Sequence, residues 1–205
     1  YLKEIFRLGL PIGVQSVLYP ISNTIIQSSI NTFGVNSIAA WAISGKLDFL
    51  IWTVSDAFSV AISTFVAQNY GAKKHQRARD GIKIALSMSM VAIFVISFTL
   101  YFYNKPLAYF LIKDKNIVDL TSQVIHLIAP LYFMYVIGDV LSGAIKGTGN
   151  TLHPMVINIF GICICRILWI FLIVSLNPTF FMVLYGFIVS WIITALLYIV
   201  YVIYK

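Results

Sequence analysis

Gly81-Ile-Lys-Ile-Ala-Leu-Ser-Met-Ser-Met-Val-Ala-Ile-Phe-Val-Ile-Ser-Phe-Thr-Leu-Tyr-Phe-Tyr103 decides the fold class. Beyond Lys83 the run carries no charge, and about 20 such residues in a helix cross a hydrocarbon layer roughly 30 Å thick. Lipid offers no hydrogen-bond partners, so a segment this apolar must satisfy its own backbone, which a helix does. Similar runs flank it on both sides. Their spacing predicts spans over about 9–33, 38–70, 81–103, 122–143, 154–176 and 179–204, so that residues 1–205 form a single unit. The expected fold is an all-α integral membrane protein with six transmembrane helices.

Composition agrees. Of 205 residues, 60% are hydrophobic and only 10% charged, more apolar surface than one soluble core of this length hides. The formal charge of +7 invites a nucleic-acid reading. The basic residues, however, sit in the polar breaks between spans, where they report orientation, so no nucleic-acid partner is expected. Lys3, Arg7, Lys73, Lys74, Arg77, Arg79, Lys83, Lys146 and Lys205 fall on one side, against Lys105, Lys113 and Lys115 on the other. The positive-inside rule then places both ends of the segment in the cytoplasm of a multi-pass protein of the plasma (inner) membrane. Cys163 and Cys165 point to different sides of one helix and make no disulfide. The first apolar run is too long for a signal-peptide core, so the chain is expected to insert through its own helices.

Five charges fall inside spans: Lys46, Asp48 and Asp56 in the second, Asp139 in the fourth and Arg166 in the fifth. Facing lipid, each would cost on the order of 2.5–3.5 kcal/mol, so together they are expected to form an intramembrane network facing protein or water. Helical spacing supports that. Asp48, Trp52, Ser55, Asp56, Ser59 and Ser63 recur every three or four residues, as do Tyr132, Tyr135, Asp139 and Ser142, and Gln15, Tyr19, Ser22, Asn23 and Gln27. Two uses of these stripes stand open: hydrogen-bonding glue between helices, or a binding surface. For Asp139, on a span interrupted by Pro130, reversible proton or sodium binding is the reading favoured. Lys46 can also snorkel along its helix.

Catalytic readings fare poorly. There is no P-loop, no nucleophile elbow, and the Gly147-Thr-Gly149 turn follows no strand. No His or Cys spacing resembles a zinc site, and His75, His126 and His153 read as loop or packing residues. The chain is therefore expected to be no enzyme, to use no cofactor, and to hold no metal beyond a Na⁺ near Asp139.

Three segments carry a family likeness: Leu8-Gly-Leu-Pro-Ile12, Phe65-Val-Ala-Gln-Asn-Tyr-Gly-Ala72 and Leu141-Ser-Gly-Ala-Ile-Lys-Gly-Thr-Gly-Asn-Thr151. In their order and spacing they resemble the multidrug and toxic compound extrusion (MATE) family, and the chain is similar to its carboxy-terminal six-helix lobe. The resemblance implies one lobe of a twelve-helix secondary antiporter that exports organic cations or drugs in exchange for Na⁺ or H⁺. Its partners would be a small cationic substrate, the bilayer, and either the missing amino-terminal lobe or a second copy of this chain. Some members bind the cation in this lobe with a Glu in the first helix and an Asp in the fourth. Here the Glu position falls on Tyr19 and the Asp position on Tyr135 or Asp139, so the coupling carboxylate is Asp139 or belongs to the other lobe. On this reading Asp139, Tyr135 and Tyr132 contribute cation or substrate binding, while Tyr19, Asn23 and Gln27 line the cavity opposite. Rival readings are a flippase of the same wider superfamily moving a lipid-linked precursor, and a non-transporting membrane assembly partner.

Overall fold

The computed structural model describes residues 2–204, and Lys205, counted above among the cytoplasmic charges, lies outside them. Six helical rods run back and forth, and no strand forms among the described residues. They are α1 (Leu2–Asn31), α2 (Val35–Gly71), α3 (His75–Leu111), a broken rod of α4 (Lys115–Ile128) and α5 (Tyr132–Gly147), a second composite rod of α6 (Leu152–Asn158) and α7 (Cys165–Trp169), and α8 (Phe180–Ile203). All but α1 are long and apolar enough to cross a membrane. In α1 the polar residues Gln15, Ser22, Asn23 and Gln27 dilute the apolar face, and it falls outside that set.

The turns follow backbone chemistry. Gly34 joins α1 to α2 at φ 87°, and Gly149 sits at φ 84° after α5, conformations that cost a residue without Cβ little. Asp114 caps α4 by accepting the backbone N–H groups of Asn116 and Ile117. The Thr179 hydroxyl accepts the Met182 N–H at the start of α8.

Prolines break two rods. Pro130 lies in a 3₁₀ turn, Ala129–Leu131, that separates α4 from α5. In α3 the helix runs through Pro106 with a kink at Tyr103 (φ −107°, ψ 15°), where the proline removes one helical hydrogen bond and its ring crowds the preceding turn. The expected loop from Lys105 onward is thus mostly helix. Its residues extend α3 to Leu111 and start α4 at Lys115, because Ala108 packs against Ile43 and Val118 and holds the extra turns in place. Lys105 and Asp119, both assigned to that loop, form an ion pair of 2.7 Å between the two helices.

The fifth rod departs from α geometry twice. Ile159–Ile164 and Ile170–Val174 are π-helical and bracket α7, which carries Arg166. Such wide turns gather at functional positions.

α2 occupies the centre. Its Ile51 and Val66 join Ile93, Leu100, Val124, Ile128, Val136, Val140 and Leu184 in one buried cluster. α5 lies tightly along α2, since a Cβ on Gly143 would strike the Ser59 backbone and one on Gly147 the Ser63 carbonyl. This is the close approach that small residues permit in membranes. Gly9 and Gly13, spaced by four on α1, have open space around them instead. The outer face of α3 exposes Ile84, Val91, Phe94, Val95, Phe98 and Phe102, as a surface against lipid does.

Candidate substrate and cation cavity

The polar stripes of α1, α2 and α5, with parts of the fifth rod and α8, enclose a cavity of about 790 Å³. α1 contributes Tyr19, Asn23 and Gln27, α2 contributes Asp48, Trp52 and Asp56, α5 contributes Tyr135, Asp139 and Lys146, and α7 contributes Arg166. Residues read separately from their spacing therefore meet at one site.

The acids are held by neutral donors. The Ser55 hydroxyl donates to the Asp139 carboxylate at 2.7 Å, and the Ser59 hydroxyl donates to the Asp139 backbone carbonyl at 3.0 Å. These bonds run from α2 to α5 and fix the half-buried carboxylate at the rim of the space. Asp48 is 3% exposed and accepts from the Tyr132 hydroxyl. Tyr132 is itself fully buried and does not line the cavity; it stands behind the wall, holding Asp48 from α5. Asp56 is exposed toward the cavity. Among the described residues no group of three or more acidic, His or Cys side chains converges tightly enough to hold a metal ion.

The cations are arranged differently. Lys46 lies on the outer side of α2, exposed, away from the cavity and so outside the expected charge network. Two residues along a helix turn a side chain through more than half a revolution, which separates Lys46 from the cavity-lining Asp48. Arg166 does reach the cavity. It is 6% exposed, its Nε donates to the Ser190 hydroxyl at 2.9 Å, and its guanidinium lies 4.3 Å from the Phe187 ring centroid. On α1, Gln27 donates to Asn31 at 2.9 Å along its own helix.

Sequence reasoning missed two contributors. Lys146, placed in a cytoplasmic loop, lies on the last turn of α5 and lines the cavity. Part of the aromatic wall escaped as well, since Trp52 and Tyr135 were read from their spacing but Trp41, Phe187 and Trp191 were not. Trp52 meets Tyr135 edge to face at 4.4 Å, Trp191 lies 5.8 Å from Trp52, and Trp41 lies 5.0 Å from Phe187. Aromatic rings and carboxylates around one space suit the recognition of flat organic cations. The histidines lie elsewhere: His126 packs against Tyr101 and His153 against Tyr201 in tilted contacts, and His75 meets Tyr70 edge to face.

The fold is a multi-pass helical bundle with a charged, aromatic-lined space between its rods. The chain belongs to the MatE family, whose sequence model matches residues 11–172. It is 24% identical over 165 residues to a probable multidrug resistance protein NorM of Thermotoga maritima, which covers 80% of this chain and 36% of the relative. It is 22% identical over 170 residues to a FAD transporter of Shewanella oneidensis, covering 83% of this chain and 36% of the relative. A solved MOP-superfamily transporter from Pyrococcus furiosus superposes with a TM-score of 0.90 at 19% identity, over 98% of this chain and 44% of its own. The chain thus spans little more than a third of the length of these curated relatives.

Proposed function

We propose that this chain forms one lobe of a secondary antiporter of the plasma membrane, with both ends of the segment cytoplasmic, that exports organic cations or drugs in exchange for Na⁺ or H⁺. The observation that carries the reading is the cavity in which Asp139, Asp48 and Asp56 face an aromatic wall. A carboxylate held only by hydroxyl donors can exchange its proton or a Na⁺ for a substrate cation without rupture of an ion pair. Asp139 is the coupling and binding position, Tyr135 stacks with the substrate, and Tyr19, Asn23 and Gln27 close the space from α1. The second lobe is an amino-terminal six-helix partner or a second copy. The names of the relatives, multidrug resistance proteins among them, point the same way. A lipid-linked precursor flippase has less support, because its diphosphate calls for a strongly basic site and, among the described residues, only Lys146 and Arg166 face this cavity.

The test uses the full-length transporter containing this chain, reconstituted in proteoliposomes with an imposed Na⁺ or H⁺ gradient. Asp139→Asn should cut gradient-driven efflux of a fluorescent organic cation by about tenfold or more, the equivalent of roughly 1.4 kcal/mol. Efflux with unchanged rate and ion dependence would remove Asp139 from the mechanism.

A further inference from the structure

The outer face of α3 ends in charge. Arg77, Ile84, Val91, Val95 and Phe98 recur at helical spacing on one side, and the apolar members of that stripe are exposed. Arg77 therefore stands at the head of the face that meets acyl chains. Lys83, also exposed, flanks the same stripe in line with Phe94. Lys73, Lys74 and Arg79 add positive charge around the elbow, against Asp80 alone. None of these cations has an acid within ion-pair distance, since the sole such pair among the described residues is Lys105–Asp119. Asp80 accepts from the Gln76 amide at 3.1 Å instead. The Arg77 guanidinium is also seated. It lies 6.0 Å from the ring centroid of Phe65 on α2, and that ring fills the space a Cβ on Gly81 would need. Length fits as well. Val91 lies about 21 Å along the helix from Arg77 at 1.5 Å per residue, and one leaflet with its headgroup layer is about 20–22 Å deep. At Met90 and Val91 a groove of about 730 Å³ begins, walled by Phe94, Phe98, Pro130 and Phe133.

We propose that this face of α3 is a binding site for an anionic phospholipid of the leaflet beside the elbow. Arg77 and Lys83 hold its phosphate, an acyl chain lies along Ile84, Met88 and Val91, and the chain end reaches the groove that opens at Met90. A guanidinium offers a phosphate two parallel N–H donors, and Lys83 reaches up to the headgroup along its apolar stem. Uncompensated basic groups beside a span attract anionic lipid over lipid that carries its own cation. Asp80 lies about one turn from both Arg77 and Lys83, so its carboxylate weakens the site and sets the sign of one test. The site lies on the outer wall of the bundle and is independent of what the cavity carries.

The experiment titrates the purified full-length transporter, in detergent, with phosphatidylglycerol or with phosphatidylcholine of identical chains, and reads retained lipid by native mass spectrometry. The wild type should hold phosphatidylglycerol about tenfold more tightly or better, as two basic groups at a headgroup allow. Arg77→Gln combined with Lys83→Gln should bring the ratio of the two affinities near one, whereas Asp80→Asn should raise it about threefold. Lys113→Gln combined with Lys115→Gln removes the same charge at the opposite end of the bundle and should leave the ratio unmoved. Equal retention of both lipids by the wild type overturns the proposal, as does an unchanged ratio in the Arg77/Lys83 variant. An equal loss in the Lys113/Lys115 variant also overturns it, because the preference would then belong to net charge. Displacement of phosphatidylglycerol by millimolar inorganic phosphate would do the same, since the site would read a bare anion and not a lipid. If the Arg77/Lys83 variant elutes as an aggregate, the opposite shifts expected of Lys83→Gln alone and of Asp80→Asn decide.

Discussion

α3 and the α4–α5 rod are both long and apolar, yet they solve opposite problems. The middle of α3 is uncharged and turns Phe94, Val95 and Phe98 outward, so its solvent is lipid. The α4–α5 rod is interrupted at Pro130, buries Val136 and Val140 on α2, and holds Asp139 at the edge of a cavity. In a bilayer, hydrophobicity does not separate inside from outside. Polarity does, because a charge is tolerated only where protein or water meets it.

The sharpest way to break the contrast is to place a charge on the lipid side. Phe94 is 68% exposed on the outer face of α3, and Phe94→Arg should cost about 3 kcal/mol of insertion free energy. The drop would appear as a lower membrane-inserted fraction in a glycosylation-mapping assay. Next comes the seam between α2 and α5. Gly143→Val pushes a branched side chain into the Ser59 backbone, and overpacking of this kind costs about 1–3 kcal/mol. A lower melting temperature in detergent would record it, whereas Gly9→Ala, with open space around it, should leave that temperature unmoved. Tyr132→Phe removes the donor to the buried Asp48 carboxylate, and a buried acceptor stripped of its partner loses about 1–3 kcal/mol. Tyr132→Phe combined with Asp48→Asn should be milder than Tyr132→Phe alone, which a double-mutant cycle of melting temperatures measures. The smallest effect belongs to the Lys105–Asp119 pair, exposed to 61% and 42%. Asp119→Asn should change stability by less than about 1 kcal/mol, and less still at high salt.

The features legible in the sequence were those with a period. Asp139, Tyr135, Asp48, Asp56, Tyr19, Asn23 and Gln27 recur at helical spacing, and a polar stripe in an apolar span has only the interior to face. Arg166 needed no period, since a lone cation in such a run has the same single destination. Other features leave no such trace. Trp191 and Phe187 sit in a mostly apolar run broken only by Ser190 and Thr194, too little polarity to separate a cavity wall from a lipid face. Lys146 stands beside a glycine-rich turn and reads as part of it, although the helix continues one residue past it. The π segments around Arg166 differ from α-helix by one residue of hydrogen-bond register, which no residue type announces. Pro106 marks a kink or an end equally well, and only the packing of Ala108 decides between them.

The lengths of α2 and α3 have a practical meaning. Each has 37 residues, about 55 Å at 1.5 Å per residue, where the hydrocarbon needs roughly 30 Å. The first two turns of α3, with Arg77, Arg79 and Asp80, are too polar for that layer, so the elbow at 72–74 stands clear of the lipid like the bow of a key. It is basic and lines no part of the cavity, which makes it the natural handle for an antibody fragment used to hold the helical bundle still for imaging while the cavity stays open.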